Sequence, residues 1–244
     1  MGSFKINPDM MVLKSRDPYF HIIIDNFFDT SQLRELLSDW PSEEAVWNTT
    51  RKEINNKANL LESGIRAINS TDKLTTSWKS FFNFVHHEDV FANCIRNLVN
   101  EEGIAPDETY NWSGLRENFP SSYQLIHSDA LIHPVTGFEK RFTVMIYFDD
   151  PKVVREGDLE LWDNEMNSCK VSIQPFFNRV VIFECTPTSY HGVPKCNYLR
   201  RAFTMSFVNP VAKKNSNRKK AEFVARPFDT KEVAAQGVLR GKVK

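Results

Sequence analysis

The chain lacks a cysteine framework. Its four cysteines, Cys94, Cys169, Cys185 and Cys196, form no C-x-x-C pair and are too sparse for a disulfide scaffold. Thiols in a reducing compartment are the expectation. No run of about 18 apolar residues is present, so no membrane-spanning helix is expected. The N-terminus lacks the apolar stretch of a signal peptide, and Ile6 stands where N-myristoylation wants Ser or Thr; a cytoplasmic location follows as the expectation. Net charge is also missing. Lys+Arg number 31 and Asp+Glu 31, so no overall field draws the chain to nucleic acid or to a membrane.

What is present is a large apolar inventory. At 244 residues, 41% hydrophobic, with 19 phenylalanines, the chain suits one large domain with a sizeable core, or one domain with additions. Its charge is unevenly spread. From Val211 to Lys244 ten Lys+Arg stand against three Asp+Glu, a net of +7, so the rest carries −7. The run Lys213-Lys-Asn-Ser-Asn-Arg-Lys-Lys220 has no apolar period and reads as a solvated tail, with binding to nucleic acid or an acidic partner as the alternative. No RNA-binding or helix-turn-helix signature accompanies it.

Along the chain, residues 1–17 are polar. Tyr19–Ile24 is a short β-rich stretch, with His21 as a sheet residue. Asp29 or Thr30 caps a helix whose Leu33, Leu36, Leu37 and Trp40 make one apolar stripe, ended by Pro41. Residues 42–74 show little period and read as a long loop or strand-and-loop insertion, of the kind that covers a binding mouth. Trp78, Phe81, Phe82 and Val85 mark a second helix; Phe91, Ile95, Leu98 and Val99 mark a third, closed by Gly103. His86 and His87 on a helix point about 100° apart and so suit helix-end surface better than one shared ion. His133 can cap a turn or approach a pocket. Arg179 reads as half of a structural ion pair, and Trp162 as a border of the substrate channel.

The chemistry concentrates between Tyr123 and Phe207. In an extended Tyr123-Gln-Leu-Ile-His-Ser-Asp129, alternation puts His127 and Asp129 on one face. His191 follows Asp129 by 62 positions, just past the apolar strand Val180–Phe183. Two imidazoles and a carboxylate are the facial set that holds non-haem Fe(II) with positions left open, although an H-x-D alone is also what a hydrogen-bonded pair looks like. On the following strand, Arg200, Ala202 and Thr204 share one face and Arg201, Phe203 and Met205 the other. The small residue beside Arg200 leaves room for an acid in its planar fork.

This stretch, roughly residues 119–209, resembles the 2-oxoglutarate-dependent Fe(II) oxygenases, in particular their prolyl 4-hydroxylase-like branch. Arg141–Asp149 resembles the strand ending in a Tyr-Leu-Asn-like turn, Gly157–Trp162 the Gly-Gly-x-Leu strand with Asp158 in place of the second glycine, Pro175–Phe183 the strand before the second metal histidine, and His191-Gly-Val-Pro with Arg200–Ser206 the last strand. The resemblance implies an α+β, mainly β fold: a double-stranded β-helix (jelly roll) core over 119–210, supported by N-terminal helices and an insertion in 1–118 packed on one sheet, with a basic tail over 211–244. It implies His127, Asp129 and His191 as metal ligands and Arg200 as the residue that binds the co-substrate's C5 carboxylate. Thr143 and Tyr147, four apart on a strand, match positions lining the co-substrate pocket, although Thr143 also suits any half-buried strand. Thr204 and Tyr123, which shares strand parity with His127, are further candidates; the family often has tyrosine where Gln124 stands.

The activity so implied is hydroxylation of a C–H bond with Fe(II), 2-oxoglutarate and O2, releasing succinate and CO2, with ascorbate as an accessory. The expected substrate is a prolyl or other peptidyl residue, or a free amino acid or small metabolite; the sequence leaves its identity and the oligomeric state open. A nucleic-acid oxidative demethylase is disfavoured because Ser206 stands where that branch has a second arginine. A non-catalytic jelly-roll binding module is disfavoured by the intact ligand set.

Overall fold

A computed structural model describes residues 3–47, 49–51, 62–149, 156–211, 221–224 and 226. The chain opens with antiparallel β1 (Met11–Ser15) and β2 (His21–Asp25), then α1 (Thr30–Ser38). Strands β3 (Thr49–Arg51) and β4 (Glu62–Ile68) form a hairpin ahead of α2 (Thr76–His87) and α3 (Asp89–Val99). The remaining strands are β5 (Ala105–Pro106), β6 (Gly114–Ser128), β7 (Glu139–Tyr147), β8 (Leu159–Trp162), β9 (Cys169–Ile173), β10 (Val180–Glu184), β11 (His191–Val193), β12 (Arg200–Asn209) and β13 (Glu222–Val224).

All pairings are antiparallel, in the order β1-β2-β10-β7-β12-β6-β11-β8-β9. Strand β6 is the fold line. Its first half pairs with β12 and its second half with β11. The sheet therefore doubles over, and Leu159 and Leu161 of β8 pack against Met145, Tyr147, Val181 and Phe183 from strands far from it in that order. This is the double-stranded β-helix the sequence resembles.

Period-2 alternation separates two cores. Val144, Ile146, Val180, Ile182, Phe203 and Met205 face outward, onto the helices; their neighbours Met145, Tyr147, Val181, Phe183 and Ala202 face the interior of the fold. The helices supply a matching aromatic layer of Trp78, Phe81, Phe82, Phe84 and Phe91, all buried. Burying side chains of this size contributes on the order of 1.5–3 kcal/mol each, enough to hold three short helices that would be marginal alone. Asp29 caps α1, accepting from Ser31 N and Gln32 N at 3.0 Å. Helix α3 ends at the left-handed Asn100 (φ 57°), before Gly103, because asparagine also tolerates that conformation. His86 is buried within the aromatic layer, stacked on Phe82. The expected ion pair of Arg179 is made with Asp25, at 2.6 Å.

Residues 42–74 hold β3 and β4, and β4 lies along β6. Lys213–Lys220 falls outside the described residues. Residues 221–226, expected in the tail, instead include β13, paired to Ile126–Ser128 of β6. All four cysteines are free thiols, with Cys185 and Cys196 buried. No described helix is long and apolar enough to cross a membrane.

Candidate metal and co-substrate site

His127 and His191 are directly opposite in the β6–β11 ladder, which brings Cβ atoms to about 5 Å; the rings lie 4.3 Å apart. Asp129 follows one residue beyond β6. Each imidazole is held by the backbone two residues before it, His127 Nδ1 on Leu125 O (2.9 Å) and His191 Nδ1 on Ser189 O (3.0 Å). Facing a carbonyl, Nδ1 must carry the proton, so Nε2 presents its lone pair to the interior. Asp129 Oδ1 lies 3.6 Å from His127 Nε2 and 3.8 Å from His191 Nε2, too far for hydrogen bonds. One donor atom from each of the three residues falls within 4.8 Å of the others. Nor are these ion pairs: burial and the neighbouring His191 push His127 down to about 3, and burial lowers His191 as well. Two neutral imidazoles and a carboxylate converging on one point fit a divalent transition metal, and iron in particular.

The other oxygen of Asp129 is occupied. Oδ2 accepts from Lys140 Nζ at 2.7 Å and Thr143 Oγ1 at 3.0 Å. Burial alone would raise the Asp129 carboxyl; Lys140, by its charge and its hydrogen bond, is the largest of the effects that outweigh it and hold the group far below the ordinary carboxylate range. The carboxylate is thus ionised and oriented with one oxygen toward the histidines.

These groups line a cavity of about 310 Å³ that Arg200, Thr143 and Thr204 also line. Arg200 is buried, donates from Nη2 to Tyr147 Oη at 3.2 Å, and leaves Nε with no partner among the described residues. Burial opposes its charge, but Tyr147 and Asp149 more than offset this. Arg201, on the opposite face, binds Glu117 at 3.2 Å. Tyr147 does not line the cavity and reaches it through Arg200. Tyr123 is not part of the lining either. Between His191↔His127 and Val193↔Gln124 the ladder advances three residues on β6 against two on β11. That β-bulge reverses side-chain parity, so Gln124, where the family often has tyrosine, lines the cavity instead.

A second bulge explains a residue that the sequence did not single out. Phe207↔Phe142 is followed by Val208↔Lys140. Arg141 is the extra residue, which turns Lys140 onto the same side as Thr143. Arg116 and Asn118 of β6 also line the cavity without a sequence signal. From the C-terminal segment, Ala221 lines it, Phe223 stacks on His127 (4.9 Å, 23°), and the buried Arg226 donates to Glu160 Oε2 at 2.8 Å. Trp162 packs with Ile126 and Tyr190 outside the cavity. His133 caps a turn, accepting from Thr136 N at 3.1 Å. Gly157 (φ +82°) is required where it stands, since a Cβ would lie 2.4 Å from that of Cys196.

Residues 118–208 match the family model described as the 2OG-Fe(II) oxygenase superfamily. No curated protein matches the chain. Among solved structures, the chain is similar to a prolyl hydroxylase from Trichoplax adhaerens in complex with a hypoxia inducible factor peptide fragment (18% identity, 78% of this chain and 83% of that one, TM-score 0.51). It is similar to a Pseudomonas putida prolyl-4-hydroxylase (11%, 78% and 92%, TM-score 0.56). It is also similar to HygX from Streptomyces hygroscopicus, solved with nickel, 2-oxoglutarate and hygromycin B (9%, 78% and 83%, TM-score 0.52). At such identities the likeness is one of fold.

Proposed function

Because residues 118–208 belong to the 2OG-Fe(II) oxygenase superfamily, we propose that the chain is an Fe(II)- and 2-oxoglutarate-dependent hydroxylase of a prolyl, peptidyl or amino-acid substrate. The observation that carries this is the convergence of two imidazole Nε2 atoms and one carboxylate oxygen in the cavity that the buried Arg200 also lines. His127, Asp129 and His191 hold the iron. Arg200, steadied by Tyr147, receives the C5 carboxylate of 2-oxoglutarate. Thr204 offers a hydroxyl beside the acid. Thr143 spends its own on Asp129, and so acts on the metal carboxylate. When bound, iron with O2 supplies the oxidising chemistry that converts 2-oxoglutarate to succinate and CO2 and places oxygen on a C–H bond. The protein's share is to fix three donors on one side, to seat a dicarboxylate behind them and to keep bulk water from the reacting atoms.

The peptide in the Trichoplax complex supports a peptidyl substrate by analogy of fold alone. The test is succinate formation from 2-oxoglutarate with Fe(II) and O2. Wild type is expected to form it and His127→Ala to lose it; equal turnover by both would remove the site assignment.

A further inference from the structure

Resting on the hydroxylase reading, we infer that Arg116 anchors a carboxylate on the molecule to be oxidised, and that this molecule is a small free acid, in the first instance a free amino acid. On the β6–β12 ladder, Arg116 is opposite Ala202, and Arg200, two residues along β12, is opposite Asn118. Residues so placed on a ladder lie diagonally about 7–8 Å apart. The two guanidinium groups thus belong to one wall, with the small Ala202 between them, and both line the cavity.

Arg116 spends only part of its donor fork. Nε donates to Thr204 Oγ1 at 2.9 Å, and its terminal nitrogens have no acceptor among the described residues. The charge inventory points the same way. The described lining holds three cations, Arg116, Lys140 and Arg200, and a single carboxylate, Asp129. Lys140 already occupies that carboxylate at 2.7 Å. A 2-oxoglutarate dianion, when bound, would answer Arg200 and the metal site. Arg116 is left facing the cavity with no anion in direct contact among the described residues, a costly arrangement unless a ligand brings one.

Its planar fork suits a carboxylate. Asn118 and Gln124 add amide partners nearby, and Trp112 and Ile65 add apolar walls. A cavity of about 310 Å³ is at the small end for ligand sites, about 300–1,000 Å³. A residue inside a peptide presents neutral amides where a free amino acid has its carboxylate, and so leaves Arg116 unanswered.

The test uses the full chain with Fe(II). Anaerobic titration gives the Kd of 2-oxoglutarate for wild type, R116Q, R116K and R200Q. Turnover of 2-oxoglutarate is then measured with each of the L-amino acids beside its carboxamide. At least one acid is expected to stimulate wild type about tenfold more than its amide, the scale of one charge-assisted pair. R116Q should lose that preference while the Kd of 2-oxoglutarate moves less than about threefold, R116K should retain part of it, and R200Q should weaken 2-oxoglutarate by about tenfold or more. The inference is overturned if R116Q weakens 2-oxoglutarate as much as R200Q does, because Arg116 then serves the co-substrate. Amides acting as well as acids, or no acid acting while 2-oxoglutarate turnover is intact, overturn it too. Absence of 2-oxoglutarate binding in wild type fails the hydroxylase reading itself.

Discussion

Replacing Lys140 by methionine keeps the length of the side chain and removes its charge. In the metal-free protein, Lys140 Nζ at 2.7 Å is the cation nearest Asp129 among the described residues, and their side chains are 8% and 17% exposed. Without it the carboxylate stays largely buried and ionised, with the Thr143 hydroxyl at 3.0 Å, the Cys185 thiol at 3.8 Å and two neutral imidazoles around Oδ1. Removing one partner of a buried pair costs about 3–5 kcal/mol. In a domain of this size each kcal/mol moves Tm by about 2–4 °C, so metal-free K140M should melt about 6–20 °C below wild type. A divalent ion at the site supplies the missing charge. Metal should therefore raise the Tm of K140M more than that of wild type, and D129N/K140M, with both charges gone, should recover most of the metal-free loss. The assay is thermal unfolding of the three proteins in chelator and in excess metal. If metal-free K140M melts within about 2 °C of wild type, Lys140 does not neutralise Asp129 and the electrostatic account of the site is wrong.

Three further outcomes follow. Burial lowers His86 to about 4 from 6.5, chiefly by desolvation. The unfolded chain therefore binds the extra proton first, and stability is full above pH 6.5 and lost as pH falls toward 4. At about 1.4 kcal/mol per pH unit the loss approaches 3 kcal/mol, so the stability of H86F should fall less steeply over that range; identical pH profiles would refute this. R226M should cost about 3–5 kcal/mol by leaving Glu160 buried without its cation, with E160Q/R226M recovering most of it in chemical denaturation; a wild-type midpoint for R226M would mean that the C-terminal strand is not part of the folded core. G157A should destabilise by more than about 1 kcal/mol, from the left-handed backbone and the crowding at Cys196, measured as a Tm drop that a surface Gly→Ala change does not show.

The sequence carried what depends on alternation. Parity alone set His127 beside Asp129 and divided Arg200 and Ala202 from Arg201 and Phe203, and both of these divisions are present in the folded chain. The helix stripes were equally legible, because Trp78, Phe81, Phe82 and Val85 can be buried together only on one face. Alternation fails at a bulge, and a bulge leaves no mark in composition. One, between Gln124 and His127, exchanged Tyr123 for Gln124 at the cavity; another, at Arg141, brought Lys140 onto Asp129. The strand at Glu222–Val224 was obscured by its basic surroundings, since its place depends on the open edge of β6 at Ile126–Ser128. Arg116 gave no warning because an arginine on a strand reads as surface until the opposite wall is known.

The most direct test is a crystal of the chain loaded with a divalent metal and measured at that metal's absorption edge. The account predicts one anomalous peak, about 2 Å from His127 Nε2, His191 Nε2 and an Asp129 oxygen together. A peak elsewhere, or one that any of the three side chains does not reach, would contradict it.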